Sequence, residues 1–337
     1  MISSVHYTLE TKRMDYRLPN GSAFIFRLDA DEARAQVDLE WITRSELAPE
    51  NVIAIVSESQ EDFRFTYPFL RDAEITPVYI HDDTELTAFL ALVEGSIYLD
   101  ITGLTHRSWV SILRAAVSIE RTPTVLYVEP MEYSSVEQPN AARVFNLSER
   151  FEEISPLPGF ARLPSVSQQS SILIPLLGFE GNRFTRVLDQ TEYDSNKTFP
   201  VIGLPGYRPE YVDYAYKGNR VPLEIDYMHR RVAFAKANCP FDVFDAITRI
   251  SEDMPSDRIK LAPIGTKPHG VGAVLFALSR GTRVELLYDH PKRSRKRSVG
   301  ANRMCVFDLP AFVQTEVFRG ARASADEEVD RWEEFER

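Results

Sequence analysis

"IYLDITGLTHRSWVSILRAA" (Ile97–Ala116) and "IKLAPIGTKPHGVGAVLFAL" (Ile259–Leu278) share one construction. Each opens with a short apolar run, crosses a small polar turn holding Gly and Thr, and enters a stretch with helical spacing. In the first, Trp109, Ile112, Leu113 and Ala116 fall at i, i+3, i+4 and i+7, one face of a helix. Apolar runs of this length, bounded by turn residues and followed by helices, read as buried strands of a parallel sheet. The two stretches therefore predict strand–turn–helix units of an α/β fold.

The likeness extends outward from both. Without a gap, "IAIVSESQEDFRFT" (Ile53–Thr66) lies over "ILIPLLGFEGNRFT" (Ile172–Thr185), with Glu61 on Glu180 and Arg64-Phe65-Thr66 on Arg183-Phe184-Thr185. Pro77-Val78 then meets Pro200-Val201, Gly103 meets Gly265, and Tyr127 of "VLYVEP" meets Tyr288 of "LLYDHP" after one residue of slippage. Matches in the same order predict a duplicated unit. The expected fold class is α/β: two tandem Rossmann-like parallel-sheet lobes with a strand-rich N-terminal extension. The expected boundaries are 1–50 for the extension, 51–145 for the first lobe, 146–170 for a linker and 171–310 for the second lobe. An insertion is expected at about 206–237, and 311–337 reads as an acidic tail. That tail could dock through Val329, Trp332 and Phe335 or be a solvated helix.

With 337 residues, 44% hydrophobic and 26% charged, the chain can bury sizeable cores. A net charge of -11 argues against blanket binding to nucleic acid or an anionic membrane. It leaves room for a local basic site, because such patches act over about 8–10 Å. Two cysteines, Cys239 and Cys305, are too few for a disulfide framework. With no apolar run of about 20 residues and no signal-like opening, a cytoplasmic protein without a membrane span is expected.

In open α/β sheets, ligands bind where strands lead into helices, and helix starts favour anions. Both turns occupy such junctions. Thr102, Gly103 and Thr105 in the first, and Gly265, Thr266 and Lys267 in the second, are the candidate ligand-binding residues, with the Asp100 carboxylate beside them. Lys267 just before the helix, with Pro268 suited to its first turn, makes the second the better phosphate candidate. Gly103 and Gly265 either admit a ligand to the backbone or build the turn, and Gly270 and Gly272 are expected to leave the surface open. "DHPKRSRKRS" (Asp289–Ser298) adds Lys292, Arg293, Arg295, Lys296 and Arg297 as candidate phosphate or nucleic-acid contacts.

His106, His269 and Glu180 are the catalytic candidates, since each neighbours a turn and can move a proton. Glu61 and Glu180 could face a cleft or pair with Arg64 and Arg183 at i, i+3. No metal-ligand spacing occurs among six His and two Cys, and Gly-x-Ser-x-Gly is absent. No metal and no cofactor are expected.

"IYLDITGLTHRSW" resembles the motif of the CRISPR-associated Rossmann-fold (CARF) sensor superfamily and its relative, the SAVED domain. There a strand runs into a Thr-Gly-Gly-Thr-Lys-like turn and a helix. The first turn keeps Thr102-Gly103 but has Leu104 and His106 where the pattern has Gly and Lys. The second keeps Gly265-Thr266-Lys267 after Pro263-Ile264. The resemblance implies a paired-lobe sensor that binds cyclic oligonucleotides, set in prokaryotic antiviral defence, with a separate effector protein.

The leading expectation is a non-catalytic sensor or recognition subunit. It would bind a phosphate-bearing ligand (nucleotide, cyclic oligonucleotide or nucleic acid) and signal to a partner effector. Two alternatives remain. One is an enzyme cleaving or transferring a phosphate- or sugar-linked bond; the other is a structural subunit of a larger complex.

Overall fold

The computed structural model describes residues 7–140, 143–145, 147–162, 170–294 and 297–320. They fall into two compact units: residues 7–133 with 297–313, and residues 134–294 with 314–320. The overall class is mixed α/β.

The first unit is built on an eight-stranded sheet. Its strands are β1 (Thr8–Thr11), β2 (Ala23–Arg27), β3 (Val52–Glu58), β4 (Asp62–Thr66), β5 (Thr76–Tyr79), β6 (Ile97–Asp100), β7 (Thr124–Tyr133) and, from far along the chain, β18 (Ser298–Phe307). They lie in the order β1-β18-β7-β6-β2-β3-β4-β5. The central four, β7-β6-β2-β3, run parallel, and antiparallel pairs flank them on both sides. Helices α1 (Leu39–Thr43), α2 (Asp83–Ala91), α3 (His106–Ser118) and α9 (Leu309–Phe312) complete the unit. One core cluster joins Phe24 and Phe26 of β2 to Trp41, Val52, Leu126, Met304 and Val306. On α3, the predicted stripe of Trp109, Ile112, Leu113 and Ala116 is fully buried. Each such large side chain contributes about 1.5–3 kcal/mol.

Two expected boundaries differ here. Residues 1–50 do not form a separate extension, because β2 sits between β6 and β3 at the centre of the sheet. Its "AFIF" run is buried at every position, the signature of a two-sided strand rather than an alternating one. Strand β18, expected within the second lobe, instead pairs along β7. That pairing covers what would otherwise be a ten-residue open edge.

In the second unit, β8 (Ser135–Asn140) pairs with β9 (Arg143–Phe145), and β10 (Ser148–Arg150) with β17 (Lys292–Arg293). The main sheet contains β11 (Ser155–Pro156), β12 (Ser171–Leu177), β13 (Val201–Gly203), β14 (Ala233–Ala235), β15 (Arg258–Ala262) and β16 (Val284–Tyr288). Its order is β11-β16-β15-β12-β13-β14, parallel except at β11. Helices α4 (Gly181–Gln190), α5 (Tyr211–Gly218), α6 (Arg220–Glu224), α7 (Pro240–Glu252) and α8 (Lys267–Arg280) alternate with the strands. Counted along the chain from β12, the five parallel strands stand in the order 3-2-1-4-5, a doubly wound arrangement. The segment 206–237, expected as an insertion, supplies α5, α6 and β14 and so belongs to the alternation. Part of the expected linker, at β10 and β11, is paired into the unit. The tail positions Val329, Trp332 and Phe335 lie outside the described residues.

The two units share one strand order: β3-β2-β6-β7 in the first and β13-β12-β15-β16 in the second. In that comparison β12 matches β2, whereas the gapless alignment had set it against β3. Arg64-Phe65-Thr66 belongs to strand β4 and Arg183-Phe184-Thr185 to helix α4, so this sequence match joins unlike elements.

Candidate functional site

The carboxyl ends of the parallel strands are the place to look, and in the second unit the order reverses between β12 and β15. The reversal point is tightly closed. A Cβ on Gly265 would lie 2.7 Å from the Leu177 carbonyl oxygen, and one on Gly178 3.2 Å from the Gly265 Cα. Gly265 is thus required by contact with the chain's own backbone. Just beyond, Arg183 of α4 donates to both carboxylate oxygens of Asp289, at 2.7 and 2.6 Å, and to the Ile264 carbonyl. The guanidinium also stacks over Tyr288, 5.5 Å from the ring centre. Burial alone would raise the Asp289 carboxyl, but Arg183 more than offsets this, and its net shift is downward. An internal ion pair fills the crevice.

Beside it the second turn remains on the surface. Thr266 caps α8 by accepting the His269 N–H at 3.3 Å, and donates its hydroxyl proton to the Ala237 carbonyl at 2.7 Å. Lys267 is the first residue of α8 and is partly exposed. The Ala237 contact ties this turn to the loop that starts α7. There Cys239 caps the helix by accepting the Asp242 N–H at 3.4 Å, and Pro240 opens it. Gly272 packs α8 closely on the Pro240 carbonyl, so this glycine serves helix packing and does not leave the surface open. Lys236, in the same loop, lies 3.8 Å from Asp242 and has a side chain 42% exposed. Two helix starts and two lysines therefore occupy one stretch of this edge. Lys236 was missed from sequence, although "AFAKANCP" repeats the signal of an apolar run followed by a Pro-led helix.

The first turn is organised differently. The Thr102 hydroxyl accepts the Val128 N–H at 3.0 Å, and Asp100 accepts from the Thr102 N–H and from Arg13, both at 2.8 Å. A Cβ on Gly103 would lie 2.7 Å from the Arg27 Cβ, so this glycine too answers to close packing within the chain. Thr105 caps α3 and donates both its N–H and its hydroxyl to Glu58, each at 2.8 Å. The carboxylates of Glu58 and Asp100 thus hold the turn and disfavour phosphate. Near it, buried Arg34 donates to Glu32 and to the Val128 carbonyl, and stacks 5.3 Å over Tyr127. This matches Arg183 over Tyr288, aligned tyrosines in matching strands. Burial would raise Glu32, but Arg34 and Arg297 pull it below the usual carboxylate range.

Comparison with known proteins gives no match: no family model, no curated protein and no solved structure.

The remaining candidates divide. Of the basic run, Lys292 lies 3.5 Å from Glu149, Arg293 donates to the Tyr288 hydroxyl at 3.1 Å, and Arg297 is ion-paired with Glu32. Arg295 and Lys296 lie outside the described residues. His269 is fully buried with Nε2 3.0 Å from the Lys236 carbonyl, and burial lowers its pKa to about 4. His106 is buried against the Trp109 ring. Glu180 accepts the Ser148 hydroxyl at 2.9 Å. Arg64 pairs with Asp62 and Arg183 with Asp289, so neither forms the i, i+3 pair with Glu61 or Glu180. Among the described residues, no group of three or more His, Cys, Asp or Glu could hold a metal ion, and no helix is long and apolar enough to cross a membrane.

Proposed function

We propose that the second unit recognises a phosphate-bearing ligand (a nucleotide, a cyclic oligonucleotide or a short nucleic acid) at the helix starts beside Lys267 and Lys236. The observation that carries this reading is the joining of the α7 and α8 starts by the Thr266–Ala237 hydrogen bond and the Gly272 contact. Each start presents the positive end of a helix dipole, and a lysine adds charge to both. The shared strand order and the matching Arg-over-Tyr pairs support descent from a duplicated Rossmann-like unit. The turns have since diverged, with the acidic setting of Thr105 leaving the second turn as the phosphate site. Recognition without turnover is favoured because His269, buried and neutral at pH 7, and His106, also buried, are poorly placed for proton transfer to a bound ligand. A sensor of this kind would pass its signal to a separate effector.

A thermal-shift screen against nucleotides, cyclic oligonucleotides and short DNA or RNA tests it. A ligand at 100 times its dissociation constant adds about 2.7 kcal/mol of stability. The expected hit loses affinity about tenfold or more in Lys267→Ala and Lys236→Ala, weakens with salt, and is returned intact. A hit whose ligand is cleaved selects the enzyme reading. No shift with any phosphate compound selects the structural subunit.

A further inference from the structure

At the opposite ends of the parallel strands, the first unit carries a groove of about 740 Å3, lined among others by Tyr16, Tyr98, Glu120, Arg121, Thr124 and Asp308. It opens where β6 and β7 begin, and its volume is in the range of small-molecule sites, roughly 300–1,000 Å3. Tyr16 and Tyr98 pack against the core cluster, and both line the groove. Burial first, then Tyr98 and the Asp308 carboxylate, push the Tyr16 hydroxyl above its ordinary value. Asp308 lines the same groove as the two tyrosines.

The electrostatics of this end follow from the helices. Strands and helices alternate in direction, so the edge that gathers helix starts on one side gathers helix ends, the partially negative pole, on the other. Helix α3 ends here in a Schellman turn: the Arg121 N–H reaches the Ala116 carbonyl at 2.8 Å and the Glu120 N–H the Val117 carbonyl at 3.3 Å. The residue in the left-handed conformation is Glu120, with φ 58°, where glycine is the usual choice. Glu120 is unfavourable twice over, being strained in backbone and negative at a negative helix end. Arg121 is engaged with carbonyls, donating to those of Leu90 and Gly95 at 2.6 and 2.8 Å. Asp308 uses one carboxylate oxygen to accept the Ala311 N–H at 3.0 Å.

We propose that this groove binds a small aliphatic amine cation of the linear polyamine class, held by the Glu120 and Asp308 carboxylates with its methylenes against the tyrosine rings. A helix end, two carboxylates and aromatic faces together favour positive charge, and each would disfavour an anion. The ligand also accounts for Glu120, whose charge and strain then serve binding.

Calorimetric titration of the full chain with spermidine tests it, beside a neutral polyether of matching length. Saturable spermidine binding that weakens with salt is expected, with none for the polyether. Asp308→Asn keeps the helix cap while removing the charge, and should weaken binding about tenfold. Glu120→Gly should raise the melting temperature while also weakening binding several-fold, a pairing that a purely structural residue would not show. Absence of saturable binding overturns the proposal, as does equal binding of the polyether. Spermidine binding unchanged in both variants marks general attraction to an acidic chain and overturns it equally.

Discussion

His269 shows how one buried side chain writes itself into the pH response. Its pKa is lowered from 6.5 to about 4, chiefly by burial. Above pH 6.5 the imidazole is neutral folded and unfolded, and contributes no pH dependence. As pH falls below 6.5 the unfolded chain takes up a proton that the folded chain refuses until about pH 4. Stability is therefore lost across that window, by about 3 kcal/mol. Urea unfolding followed by circular dichroism at pH 7 and pH 4.5 should show this slope, and His269→Gln, which keeps an N–H donor for the Lys236 carbonyl, should flatten it. A slope unchanged in the variant would place the response in other groups. Sequence reasoning marked His269 for its place after a turn, but could not see that the ring turns inward to the end of β14. Arg183 was visible only as a partner for Glu180. Its pairing with Asp289 spans a separation that no local pattern encodes.

At the scale of elements, the strand–turn–helix units were legible because their signals are local. An apolar run, a Thr cap and a buried stripe define β6–α3, and β15–α8 repeats them. Less local features escaped. The "RFT" match joined β4 to α4, although the surrounding spacing separates them. Phe63 and Phe65 alternate as in a strand, while Phe184, Val187 and Leu188 fall at i, i+3 and i+4. Likewise, the glycines of the candidate turns were weighed as openings for a ligand, and contact with neighbouring segments explains them instead. Gly265→Ala should therefore destabilise the protein by about 1–3 kcal/mol even without ligand, since its Cβ would press on the Leu177 carbonyl. Equilibrium unfolding of the unliganded chain measures this directly, and a neutral substitution would return the glycine to a ligand role.

For the whole molecule, the division into units is not sequential. Residues 134–294 form the body of the second, to which residues 314–320 return, and the first is assembled from segments on either side of that body. A fragment of residues 134–294 should fold cooperatively alone. A fragment of residues 1–133 should not, because β7 would lack β18 and the core would lack Met304 and Val306. Fluorescence of buried Trp41 and Trp109 should report exposure in that fragment and recovery when residues 295–313 are added. A native spectrum from residues 1–133 alone would show that β18 is dispensable. Boundary prediction failed here because composition marks loops, and nothing in composition says that a strand returns to an earlier sheet.

The position of β18 also sets an order on synthesis. A ribosome delivers β2 through β7 first, then must add roughly 160 further residues before the strand that covers β7 emerges. At about 5–20 residues per second, that is an interval of about 10–30 s. Throughout it most of the inserted unit can form, with residues 314–320 still to come, while its host stands unfinished and a ten-residue strand edge is exposed to every other nascent chain. Until β18 covers it, that edge is a liability for pairing with other chains.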